Sequence, residues 1–152
     1  MPEQTHLRYK RSRFSTALPM GRRYTAAHSW LLEAEPGLWQ IGFTKFATRM
    51  LGDPVELDFE VKPGERVEKG QVLGWIEGFK AVTDVYSPIS GTFEGANPAL
   101  TEDIDLLSSR LYDQGWLFAL RGEPDEDCLE LEGYVGVLDA TIDRMLGEEG
   151  QG

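Results

Sequence analysis

Cysteine is nearly absent from this 152-residue chain: Cys128 stands alone. One thiol cannot close an internal disulfide, and the protein cannot run dithiol redox chemistry on its own side chains. Histidine is almost as scarce, with only His6 and His28, so no Cys/His cluster exists to hold a structural zinc ion. No apolar run approaches the roughly 20 residues that cross a bilayer. No internal repeat is strong enough to read, and no Ser/His/Asp or Cys/His spacing supports a catalytic site. Bases are few beside acids, 15 against 26, giving a formal net charge of −11.

That imbalance is uneven. Residues 1–23 hold Arg8, Lys10, Arg11, Arg13, Arg22 and Arg23 against one acid, Glu3, so the rest of the chain carries −16. An acidic body repels nucleic acid and anionic membrane, and neither is expected as a partner. It suits transient docking on basic surfaces of larger proteins; plain solubility explains it equally well. The basic start resembles a transit peptide in composition, but Pro2 and Glu3 open an amphipathic helix poorly and "FSTALP" (14–19) reads as an extended arm lying on the domain. Residues 1–23 are therefore expected to be an N-terminal extension of the mature protein, 24–122 the main domain, and 123–152 a C-terminal extension whose helix packs on it.

The length allows one domain with a sizeable core. Two β-favouring runs in 28–44 flank Glu35-Pro36-Gly37 and predict a hairpin. Phe46, Ala47, Met50 and Leu51 share a helical face between Thr44, a good N-cap, and Gly52, a good stop, predicting a helix of about two turns. "PVELDFEV" (54–61) alternates Val55, Leu57, Phe59 and Val61 with Glu56, Asp58 and Glu60, as a half-buried strand does. Further strands are predicted at 72–78, 83–89, 92–97 and 115–122, a helical turn within 102–114, and a helix within 133–146 burying Leu138, Ile142, Met145 and Leu146 ahead of a frayed tail. Many short strands with frequent turns indicate a small barrel or sandwich.

"GWIEGFKAVTDVY" (74–86) places Lys80 between two strand-like runs, where it supports no core. Alone, such a lysine is most simply a solvated turn residue. Its setting is more specific: Gly64, Val67, Gly70, Glu77, Lys80-Ala81 and Ser87-Pro88-x-x-Gly91 resemble the biotinyl and lipoyl carrier domains, and Phe79 and Ala81, where biotin carriers place methionines, favour lipoate. The ordered series "YTAAHSW" (24–30), "GFTKFATRMLGD" (42–53), "EGFKAVTDVYSPISG" (77–91), "NPAL" (97–100) and "YDQGW" (112–116) resembles the H protein of the glycine cleavage system over residues 24–121.

The resemblance implies a mainly β fold, a hybrid of barrel and sandwich with a few short helices and a C-terminal helix. It implies lipoate, amide-linked to Lys80 at a hairpin tip, as the cofactor. The oxidised arm of such a protein accepts an aminomethyl group, releases it to a second enzyme and is reoxidised by a flavoenzyme. Implied partners are a lipoate ligase or lipoyl transferase, glycine decarboxylase, aminomethyltransferase and dihydrolipoyl dehydrogenase. The chain would act as a non-catalytic, monomeric carrier in the cytoplasm, with a mitochondrial address as the alternative.

Residues expected around the hairpin and arm cleft are Glu77, Phe79, Ala81, Asp84, Tyr86 and His28. Each has a plainer reading: Glu77 solubilises an edge strand, Asp84 sits on a polar strand face, Tyr86 packs, and His28 is a hydrogen-bonded structural histidine. Departures from the family pattern are Ser29, where an acid usually precedes the tryptophan, Met50 in place of a polar residue, and Arg110-Leu111. A carrier with another cargo outside glycine metabolism, or a non-lipoylated acidic scaffold, are the competing readings.

Overall fold

The computed structural model describes residues 5–151, with side chains described through Glu148. Leu7 and Tyr9 alternate with Arg8 and Lys10, and β1 (His6–Arg11) pairs antiparallel with β2 (Phe14–Pro19). The expected extended arm is thus half of a hairpin. β3 (Arg23–Tyr24) enters the main sheet, and β4 (Ser29–Glu35) and β5 (Leu38–Phe43) form the predicted hairpin, with Gly37 at φ 78° in the turn. α1 (Lys45–Leu51) begins after Thr44 and ends at Gly52, φ 81°. The Thr44 hydroxyl does not cap this helix; it serves another purpose described below.

Next come β6 (Pro54–Phe59), β7 (Arg66–Val67), β8 (Val72–Gly78), β9 (Val82–Tyr86) and β10 (Gly91–Ala96). Two single-turn helices, α2 (Ala99–Glu102) and α3 (Leu106–Ser109), precede β11 (Phe118–Gly122) and the long α4 (Leu131–Gln151). The strands build three antiparallel sheets: β1-β2, the six-stranded β3-β4-β5-β11-β10-β7, and β6-β8-β9.

Some sequence expectations shift for local reasons. Val55 is exposed rather than inward, because the β6–β8 register slips between Pro54 and Glu56 and a one-residue slip reverses the face. β9 stops at Tyr86, since Ser87 turns its hydroxyl onto the Ile89 carbonyl at 2.6 Å. The C-terminal helix continues to Gln151 instead of fraying after Leu146. No proline follows Pro124 to stop it, and a glycine in a helix costs only about 1 kcal/mol. Its buried stripe is Leu131, Tyr134, Leu138 and Ile142, so Leu146 points outward.

Two apolar clusters result. The main one lies between the two larger sheets and includes Leu31, Ile41, Leu73, Ile76, Phe93 and Leu120. Phe59, Phe93 and Phe118 meet there at centroid distances of 5.5–6.0 Å. The second lies outside the main sheet, where the β1–β2 hairpin and α4 close over Tyr24, Trp30 and Phe46. The terminal charges are used across it: Arg11 Nε donates to Asp143 at 2.8 Å and Nη1 to Asp139 at 3.3 Å.

Candidate functional site

Lys80 stands at the tip of the β8–β9 hairpin. The Gly78 N–H donates to the Ala81 carbonyl at 2.8 Å and closes the turn, and Phe79 is 81% exposed. The tip does not project freely. The Phe79 N–H donates to the Asp53 carbonyl at 3.0 Å and the Lys80 N–H to the Leu51 carbonyl at 2.9 Å, fastening the turn to the end of α1. Both glycines at this junction are sterically required. A Cβ on Gly78 would lie 2.3 Å from the Leu51 oxygen, and one on Gly52, already at positive φ, 2.9 Å from Lys80 Cγ. The task of Gly78 is to let the turn touch α1.

The Lys80 backbone is therefore fixed while its side chain is exposed. Its Nζ donates to the Arg49 carbonyl at 3.1 Å, one of the carbonyls a helix leaves unpaired in its last turn. A cation there is favoured by the helix dipole, but a single exposed contact is easily surrendered.

A cleft of about 830 Å³ opens beside the hairpin, with walls from α1 (Phe46, Ala47, Met50), β9 (Val82, Asp84, Tyr86) and the 25–29 loop. Of the predicted site residues, Ala81, Asp84, Tyr86 and His28 line it together; Glu77 and Phe79 lie outside it. Glu77 is half-buried on β8, paired across the sheet with Glu56 on one side and Val82 on the other. Ser29 and Met50, the two departures from the family pattern, both face the cleft. The lining is largely apolar. Its charges include Lys69 paired with Asp127, while Asp84 makes no ion pair among the described residues. The Tyr86 hydroxyl lies 3.5 Å from Asp84 Oδ2, too far for a strong hydrogen bond.

His28 is held in a left-handed backbone conformation, φ 68°. Its ring packs 4.4 Å from that of Phe46, and Nδ1 meets the Tyr134 hydroxyl at 2.9 Å. Desolvation pushes its pKa down to about 4, so the ring is neutral at physiological pH. Tyr134 was missed by the sequence reading. Its hydroxyl also meets Thr44 Oγ1 at 2.7 Å, and with one proton it donates to at most one of the two. The hydroxyl thereby ties the 25–29 loop, the start of α1 and the C-terminal helix together behind the cleft. An aromatic at the opening of the apolar stripe of α4 was the available signal; its partners, 90 and 106 residues earlier, left none.

A fixed backbone, an exposed lysine and an adjoining apolar cleft are the features that a carrier domain requires. Comparison with known proteins gives the particular kind. A family model described as Glycine cleavage H-protein matches residues 22–136. The glycine cleavage system H protein of Edwardsiella ictaluri is 34% identical over 125 residues, covering 80% of this chain and 97% of that protein. The Micrococcus luteus protein of the same name is 36% identical over 124 residues, covering 79% and 96%. A solved glycine cleavage system H protein from Mycobacterium marinum superposes with a TM-score of 0.70 at 30% identity, covering 78% of this chain and 97% of that one. The chain belongs to the glycine cleavage H-protein family. Its three antiparallel sheets and short helices are the expected hybrid of barrel and sandwich. It is a carrier subunit of the glycine cleavage system and not itself an enzyme. Among the described residues, no helix is long and apolar enough to cross a membrane.

Proposed function

We propose that Lys80 bears lipoate in amide linkage and that the chain, as a cytoplasmic monomer, carries aminomethyl groups and reducing equivalents between glycine decarboxylase, aminomethyltransferase and dihydrolipoyl dehydrogenase. A lipoate ligase or lipoyl transferase would install the group. The observation that carries this reading is the anchored tip: Phe79 and Lys80 give their backbone N–H groups to α1 and the loop after it, while the Lys80 amine is held by one exposed carbonyl. An enzyme acylating an amine needs that amine in a reproducible place and free to leave its resting contact. The residues fit the group. The amine is exposed, and the neighbouring cleft is apolar, about 830 Å³, within the range of small-molecule sites. When bound, lipoate would supply the redox-active disulfide that the chain's own side chains lack.

This chain's residues position and shelter. Met50, Phe46 and Val82 give the arm apolar surface and exclude water. Neutral His28, held by Tyr134, supplies a wall without positive charge. Asp84 is the lining carboxylate left without a cation, so it favours an ammonium-bearing cargo. Glu77 and Phe79 flank the lysine on the outside and are placed to be read by the enzyme that installs lipoate.

The test is glycine–bicarbonate exchange with a purified glycine decarboxylase. Lipoylated wild type should support exchange, and Lys80→Arg, which keeps the charge but cannot form the same amide, should fall to the carrier-free background. Exchange that survives Lys80→Arg, or is absent with fully lipoylated wild type, would contradict the reading.

A further inference from the structure

The family match begins at residue 22, so the β1–β2 hairpin lies outside it. One face of this hairpin has an evident structural task. Tyr9, Phe14 and Leu18 are buried in the second cluster, and Arg11 is spent on Asp139 and Asp143. The opposite face does not. Arg8 and Lys10 stand there beside cross-strand partners Ala17 and Ser15, all four exposed, with Arg13 at the turn. Arg8, Lys10 and Arg13 make no ion pair with any described residue, and folding does not require three bases on an outward face.

The position of this face is what gives it meaning. Arg49 Nη1 donates to the Arg13 carbonyl at 3.4 Å, and the Arg49 guanidinium lies 5.8 Å from the Phe14 ring. The Arg49 carbonyl in turn accepts from Lys80 Nζ. One residue of α1 therefore links the hairpin turn to the carrier lysine. Lys45, exposed one helical turn before Arg49, extends the same basic strip. A chain carrying −16 outside its first 23 residues thus exposes bases on the outer face and turn of this hairpin, with Arg49 of α1 next to the turn and next to Lys80.

We propose that the outer face of the β1–β2 hairpin, continued by Lys45 and Arg49, is a docking surface for an acidic face of one protein that acts on the Lys80 arm. The proposal rests on the carrier reading above. Charge complementarity selects the occupant: Arg8, Lys10 and Arg13 are exposed and make no ion pair with a described residue, and the turn that carries Arg13 is joined through Arg49 to Lys80. A polyanion longer than this surface would overrun it onto the acidic body, which disfavours nucleic acid and anionic membrane.

The test uses the lipoylated full chain and the charge-reversed variant Arg8→Glu/Lys10→Glu/Arg13→Glu. Activity is measured with glycine decarboxylase, aminomethyltransferase and dihydrolipoyl dehydrogenase from the same organism. For one of these enzymes, kcat/KM should fall by about tenfold or more near low ionic strength, with kcat unchanged. The gap should close at about 0.5 M salt, where the screening length is only a few Å. Thermal unfolding should be unaltered, because the three side chains are exposed and unpaired. Equal kcat/KM with all three enzymes, or a loss insensitive to salt, overturns the docking surface and leaves the carrier reading intact. Wild type that none of the enzymes uses overturns both. Binding of a 30-base-pair DNA duplex or of phosphatidylglycerol-containing vesicles by wild type, lost in the variant, would assign the surface to another class of partner and overturn the proposal.

Discussion

The two apolar clusters are built differently. The main core between the large sheets is aliphatic and phenylalanine-based, with Leu73, Ile76, Phe93, Phe118 and Leu120 at its centre. The second, between the β1–β2 hairpin, α1 and α4, is joined by aromatic side chains with polar tips. Tyr9 donates to Asp139 at 2.7 Å, Tyr24 donates to the Pro19 carbonyl, and Tyr134 joins His28 to Thr44. Tyr24 and Tyr134 also stack at 4.9 Å, with planes 7° apart. Dispersion and burial hold the first and tolerate exchange of shapes; the second depends on hydroxyls meeting particular partners. The cleft lies against both. The main core sets the hairpin that carries Lys80, and the second cluster sets the far wall at His28 and α1.

Breaking the comparison from the first side should cost most. Phe93→Ala removes a buried ring at the centre of the main core and should destabilise by about 3–5 kcal/mol, read by chemical denaturation. Tyr134→Phe keeps the ring and deletes one hydroxyl. It strands Thr44 Oγ1, 1% exposed as a residue, and should cost about 1–3 kcal/mol. If the second cluster were held by burial alone, this variant would be neutral.

A smaller effect comes from His28. Its folded-state pKa, near 4, is below the unfolded value near 6.5, so the unfolded chain binds a proton that the folded chain refuses. The resulting stability is fully present above pH 6.5 and is lost as pH falls from 6.5 to about 4. With allowance for partial exposure, it amounts to about 1–2 kcal/mol. His28→Asn, which tolerates the left-handed backbone, should flatten that part of the thermal-stability profile between pH 7 and 4; an unchanged slope would remove His28 from the account. Smallest of all, Arg11→Ala breaks solvent-screened ion pairs to Asp139 and Asp143 and should lower the thermal midpoint only slightly, the difference closing with added salt.

The same contrast explains what could be read from the sequence. The hairpin around Lys80 was legible because its signals are local: alternating apolar residues, Gly78 before the turn and Ser87-Pro88 after it. The β4–β5 turn at Pro36-Gly37 and the ends of α1 at Thr44 and Gly52 were legible for the same reason. β1 was not, because Arg8, Lys10 and Arg11 mask the alternation of Leu7 and Tyr9 unless Arg11 is known to reach acids on α4. The outward turn of Val55 follows from a bulge that alternation alone does not disclose. Ala81, Asp84 and Tyr86 could be placed near one another from the hairpin, but the bond from Tyr134 to His28 spans 106 residues and leaves no local mark.

The central claim is that Lys80 is the single acylated position on an anchored tip. The most direct measurement is the intact mass of the protein after co-expression with a lipoate ligase and lipoate, alongside Lys80→Arg and Phe79→Pro. Wild type should gain one lipoyl group and Lys80→Arg none. Phe79→Pro loses the N–H that reaches Asp53, so it should be modified poorly while remaining folded. A wild type that stays unmodified with several ligases, or a Lys80→Arg variant that still gains the group, would contradict the account.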